Sequence, residues 1–177
     1  MTVKEISDIS NLTESARELV REDSTPASYL DSLEKRELYQ DAIRFQAHNM
    51  ATDAGVKWAV SCAREMKAPE SKDRKDEPLD ASDAWIKAPG DATRWKAKEA
   101  FDRSKDGGAS DLIAMAVFFS GGSISSPGAP ETSAPPYTAQ KMIAGSIIVA
   151  VVSHEPEKAG ERYKRALAMA KSSAPRP

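Results

Sequence analysis

The chain has 177 residues, 25 Lys+Arg against 27 Asp+Glu and 40% hydrophobic residues; disorder throughout, which needs low hydrophobicity and a large net charge, is excluded. One cysteine rules out an intrachain disulfide and a thiolate zinc cage, and two histidines leave little for a metal site, so no metal and no cofactor are expected. The near-balanced charge gives no electrostatic case for a nucleic-acid partner.

Helical signals dominate along the chain. Residues 1–8 lack the apolar core of a secretory signal. Ser10 or Thr13 can cap a short helix running to Glu22, with Leu12, Ala16, Leu19 and Val20 as its apolar positions. Thr25-Pro26 is a strong helix start, because proline at the first helical position loses an N–H that would be unpaired anyway. Leu38, Ala42 and Phe45 form one helical stripe, flanked by Tyr39, Ile43 and Met50. Thr52-Asp53 opens a further helix on which Trp58, Cys62 and Met66 recur every four residues, so Cys62 is expected in the core rather than as a nucleophile with His48 as base. His48 is expected partly exposed, and His154 in the turn before the last helix.

Residues 67–78 carry charges that cancel and no apolar side chain larger than alanine, which reads as an exposed, mobile loop. A short helix with Leu79, Trp85 and Ile86 follows; Asp80 and Asp83 share one face of it, a pattern that serves a helix N-terminus more often than a cation. Gly90-Asp91 opens a helix bearing Trp95, Ala97, Ala100 and Phe101. Trp85 and Trp95 bracket the Pro89-Gly90 corner and are read as packing across it, or else as an exposed pair for docking. Ser110 and Asp111 start a run, 112–119, that is apolar all round, as is much of 139–152; 111–119 and 139–152 both read as central helices, with buried strands as the rival. Between them lies a long loop, 120–138, with four Pro and three Gly, a length at which loops are often functional. Thr138 is expected to cap the second central helix. Glu155-Pro156 starts the last helix, and 173–177 form a tail. Residues 1–41 hold ten acids and five bases while 155–177 hold three acids and six bases; solvated helix faces explain this, or an acidic front lying near the basic last helix.

The organisation expected is an all-α fold: an N-terminal segment, 1–24, with a short helix, then one compact domain, 25–172, of seven to nine helices in all. The longest apolar stretch, 142–152, is shorter than the roughly 20 residues that span a bilayer, so no membrane span and a cytoplasmic location are expected.

Three stretches carry a resemblance: Ala42-Ile43-Arg44-Phe45 leading into the helix Val56 to Arg64; Ala84-Trp85-Ile86 before a proline; and Phe119-Ser120-Gly121-Gly122-Ser123, then Pro135-Pro136-Tyr137-Thr138-Ala139, then Ala144-Gly145. Over residues 25–170 the chain resembles an uncharacterised bacterial helical domain family with a W/F-S-G-G-S and Pro-rich-loop signature, some of whose genes lie near those of type VI secretion. Phe119 stands where many members have Trp, and Lys57 replaces the first Trp of a pair. The resemblance implies a helical fold and a link to a secretion-type assembly; it carries over no catalytic residue.

The Ser120-Gly121-Gly122-Ser123 turn is the feature with most chemical promise. Its glycines can aim several N–H groups at one anion, although the turn fits neither phosphate-loop pattern. The plainer alternative is a helix end whose glycine takes positive φ. The candidate residues are therefore Ser120, Gly121, Gly122, Ser123 and Tyr137 for an interaction or anion-binding loop, and Trp85 and Trp95 for docking. No catalytic residue is assigned. The function expected is a non-enzymatic interaction or adaptor protein whose partner is another protein of a bacterial assembly; the alternative is a small enzyme or anion-binding module built on the 120–123 turn.

Overall fold

The computed structural model describes residues 1–173 except Lys72, Lys105 and Pro127, with the side chains of Ser172 and Ser173 also outside the description. Among the described residues it is all-α. The ten helices are α1 (Val3–Ile9), α2 (Glu14–Arg17), α3 (Pro26–Lys35), α4 (Tyr39–Asn49), α5 (Thr52–Glu65), α6 (Glu77–Lys87), α7 (Asp91–Arg103), α8 (Ala109–Phe118), α9 (Thr138–Val152) and α10 (Ala159–Ser173). The helix beyond the expected count is α1, which Thr2 and Glu5 cap reciprocally. Ser10 ends α1, and Thr13 caps α2. Thr25 caps α3 with Pro26 in its first turn, as its sequence predicts.

The two apolar runs are helices, not strands. α8 and α9 pack on one another, and α9 also lies on α4 and α5. Ile113, Val117, Ile143, Ile147 and Val151 are fully buried between them and their neighbours. Gly55 lets α5 come close to α9: a Cβ there would stand 2.8 Å from Ile143 Cδ1. The outer helices are tied on by polar contacts between residues well separated in sequence. Trp58 Nε1 donates to the Ala166 carbonyl (2.7 Å), joining α5 to α10. Tyr29 Oη donates to the Ala16 carbonyl (2.7 Å), joining α3 to α2. Buried Asp41 on α4 accepts from both the N–H and the hydroxyl of Thr13, each at 2.9 Å. Val3, Ile6, Leu12 and Ala16 belong to the same core cluster as α8 and α9. Glu34 and Lys171 approach to 3.9 Å, one contact between the acidic front and the basic last helix.

Three boundaries differ from expectation. The short helix capped by Thr13 ends at Arg17 instead of running to Glu22. Thr138 does not cap α9: Tyr137, at φ 60°, occupies that place without a side-chain cap bond, and the Thr138 hydroxyl donates back to the Pro135 carbonyl (2.7 Å). The last helix begins with a 3₁₀ turn, Pro156–Lys158, before α10 proper. Residues 174–177, most of the expected tail, lie outside the described residues, as does Lys72 of the 67–78 stretch. Among the described residues no helix is long and apolar enough to cross a membrane.

Candidate functional site

The loop between α8 and α9 is a strap held at its base. Its two limbs meet at an isolated antiparallel bridge, Ser123 with Ser133, and the Ile124 N–H donates to the Thr132 carbonyl (2.8 Å). The Ser123 hydroxyl accepts from the N–H groups of Ser125 and Thr132, each at 3.1 Å. Beyond this bridge Gly128–Thr132 are exposed. Pro127, where the Pro-rich stretch begins, lies outside the described residues.

What fixes the strap to the bundle is Arg94 of α7, a residue the sequence reading passed over. Its side chain is buried. Nη1 donates to the Phe118 carbonyl (2.8 Å), Nη2 to the Ser123 carbonyl (2.7 Å), and Nε and Nη2 both reach Asp91 Oδ1 (3.0 and 2.6 Å). The guanidinium carbon lies 5.1 Å from the Phe118 ring and 5.6 Å from the Trp95 ring. Gly122, at φ +64°, passes so close that a Cβ would meet Arg94 Nη2 at 2.9 Å and Asp91 Oδ1 at 3.1 Å. Glycine is required there by both backbone conformation and space.

The turn considered as an alternative anion cradle is thus occupied from within. Ser120 Oγ donates to the Val117 carbonyl (2.7 Å), the helix-end arrangement weighed as its plainer role. Ser120, Gly121, Gly122 and Tyr137 do come together, with Thr138, around a hollow of about 240 Å³. No cationic side chain is among its described lining residues, and the cation nearest the turn, Arg94, is already matched by Asp91 and two carbonyls. Ser123 is turned into the strap and does not line this hollow.

The two tryptophans part company. Trp85 is 7% exposed and joins the core cluster, so it offers no docking surface; its helix turns it inward with Leu79 and Ser82. Trp95 is half-buried and meets Phe118 edge-on at 5.0 Å rather than Trp85. Asp83 pairs with Arg64, while Asp76 caps α6 and also accepts from Ser110 Oγ (2.8 Å) and Lys67 Nζ (3.2 Å). No group of three or more His, Cys, Asp or Glu able to hold a metal occurs among the described residues. Cys62 is fully buried, and burial, with the charge of Glu65 adding to it, pushes its thiol up to about 12.

A second concavity was not anticipated. His48, expected partly exposed, is 5% exposed, since it follows Phe45 by three residues on the inner face of α4. It lines a cleft of about 850 Å³ with Arg17, Arg44, Tyr137 and Lys141 above an apolar floor that includes Leu112 and Ile148. Its Nδ1 lies 2.8 Å from the Arg44 carbonyl, and its ring faces that of Tyr137 at 6.0 Å. Burial, more than the charge of Lys141, pushes the imidazole below its ordinary pKa, against the opposing pull of the Arg44 hydrogen bond.

The profile of a family of unknown function, DUF6931, matches residues 29–174. The chain belongs to that family. The match runs from within α3 to the end of α10, so it includes the strap, Arg94 and His48, while Asp8, Asn11 and Arg17, on the near wall of the His48 cleft, precede it. Neither the curated proteins nor the solved structures provide a match.

Proposed function

We propose that the protein is a non-enzymatic helical interaction module, an adaptor or accessory component of a larger bacterial assembly, working in the cytoplasm. The observation that carries this reading is the strap: a long exposed loop whose base is locked by a buried arginine and a backbone bridge. Loops set on a rigid scaffold are where binding surfaces concentrate, because the scaffold removes much of the ordering entropy that recognition would otherwise cost. The Phe119-to-Ser123 and Pro135-to-Ala139 motifs that carry the family resemblance are the two ends of this strap. The resemblance to families near type VI secretion genes makes a secretion-type machine the assembly class proposed. The near-balanced net charge of the chain favours a protein partner over nucleic acid.

The competing reading, a small enzyme or anion-binding module on the 120–123 turn, has less to support it. The hydroxyls of Ser120 and Ser123 are engaged, and the nearby guanidinium is neutralised by Asp91.

The test replaces the strap tip, 128–132, by Gly and Ser at constant length and compares it with the native chain in affinity capture from the source cell, read by mass spectrometry. A defined partner lost with the tip, at unchanged helix content by circular dichroism, is the expected result. Recovery of the same partner by both proteins would show that the strap is not the recognition surface.

A further inference from the structure

α9 is apolar almost throughout, yet the bundle covers only part of it. Packing on α4, α5, α8 and α10 buries Ile143, Ile147, Ala150 and Val151. The remaining face carries Gly145, Ile148, Val149 and Val152, whose spacing of three and four residues sets them in one stripe. The first three are half-buried, and Val152 is 42% exposed. A helix face left to water ordinarily carries polar and charged side chains. Beside the stripe runs the His48 cleft, of about 850 Å³, which Gly145, Ile148 and Val149 line together with Leu112 of α8.

Gly145 adds an independent observation. A glycine inside a helix weakens it relative to alanine, so its presence calls for a reason. Gly55 has one within the chain, since a Cβ there would run into Ile143. Gly145 has none. It sits in the middle of α9 without a left-handed backbone, and a Cβ would meet only Leu112 Cδ1, at an unstrained 3.8 Å. Close approach by a helix from outside the chain supplies the reason that the fold itself does not.

We infer that this stripe joins two copies of the chain, α9 against α9, antiparallel about a two-fold axis that passes between Ile148 and Val149. A two-fold interface must be complementary to itself, and in this register the stripe is. The prominent Val152 of each copy lies opposite Gly145 of the other, where there is no side chain, and Ile148 lies opposite Val149. The same operation carries the exposed Lys141 of each copy toward the acidic turn that follows α9 in the other, where Glu157 is exposed and Glu155 is already held by Lys158. The cleft beside each stripe leaves room for side chains of the second copy. This face is distinct from the strap tip and does not rest on the adaptor reading.

The experiment is sedimentation equilibrium of the full chain across protein concentration, with helix content followed by circular dichroism. A reversible monomer–dimer equilibrium is expected, with Kd about 100 µM, because one helix stripe is small beside a permanent interface. Val152→Asp places a charge on an exposed position, so the monomer folds as before and dimerisation weakens by roughly tenfold or more. Gly145→Gln fills the space opposite Val152 with a good helix former. It is expected to weaken the dimer to a similar extent while the melting temperature of the dilute monomer holds or rises. Lys141→Glu and Glu157→Lys each weaken dimerisation by about threefold, and the two together restore it, because the double variant exchanges the charges across the axis. A chain that stays monomeric up to about 1 mM overturns the inference. So does a dimer that survives Val152→Asp, a Gly145→Gln monomer that melts earlier, or a double charge variant no better than the single ones.

Discussion

Arg94 is the residue on which the strap depends. A buried guanidinium costs desolvation, which is offset here because its planar fork meets two backbone carbonyls and a carboxylate at once. Arg94→Ala leaves the Phe118 and Ser123 carbonyls without that donor and is expected to destabilise the fold by about 3 kcal/mol. Arg94→Lys keeps the charge but reaches fewer acceptors, and about half that loss is expected. Urea titrations of both variants read the difference; a change below about 0.5 kcal/mol for the alanine variant would mean the clamp contributes nothing. The sequence offers little warning of Arg94, which sits in a heavily charged helix and meets partners 24 and 29 positions away. His48 did leave a signal. It continues the Leu38, Ala42, Phe45 stripe, and the periodicity that places Cys62 in the core argued equally for burying His48.

At the scale of the element, α8 and α9 were ambiguous because a helix buried on all sides shows no periodicity. Their alanine, glycine and methionine content allows close helix packing; Ile147 (0% exposed) is buried in the resulting core, while Phe118 (3%), at the end of α8, is buried against Trp95 and Arg94 of α7. Truncating either, Phe118→Ala or Ile147→Ala, is expected to cost about 3 kcal/mol in a denaturant titration. Val152 on the same helix is 42% exposed, and Val152→Ala serves as the control, with an expected change within about 0.5 kcal/mol. Equal effects at Ile147 and Val152 would show that burial in this core is not what the measurement reports. The start of α9 shows the limit of local rules: Thr138 has the right chemistry for a cap, yet the strap's path brings Tyr137 there in a left-handed conformation and sends the hydroxyl to Pro135 instead.

For the whole molecule, Cys62 gives a direct probe. Its thiol is fully buried on α5 and held near 12, so the reactive thiolate is scarce in the native state. An aromatic disulfide reagent is expected to label it only through unfolding of the bundle, with the labelling rate rising with denaturant in step with global stability. Labelling in water at the rate of an unfolded peptide would show instead that α5 opens alone.

The sequence by itself determined the helical class, most helix starts and the identity of the core stripes, because caps, prolines and apolar spacing act over three to seven residues. It also marked the long loop as the unusual connection. Only the tertiary structure decided what that loop is tied to, which tryptophan is hidden and where His48 faces a cleft. Those outcomes depend on groups brought together across many tens of residues, as when α7 delivers a guanidinium to the end of α8, and on which face of each helix its neighbours leave uncovered.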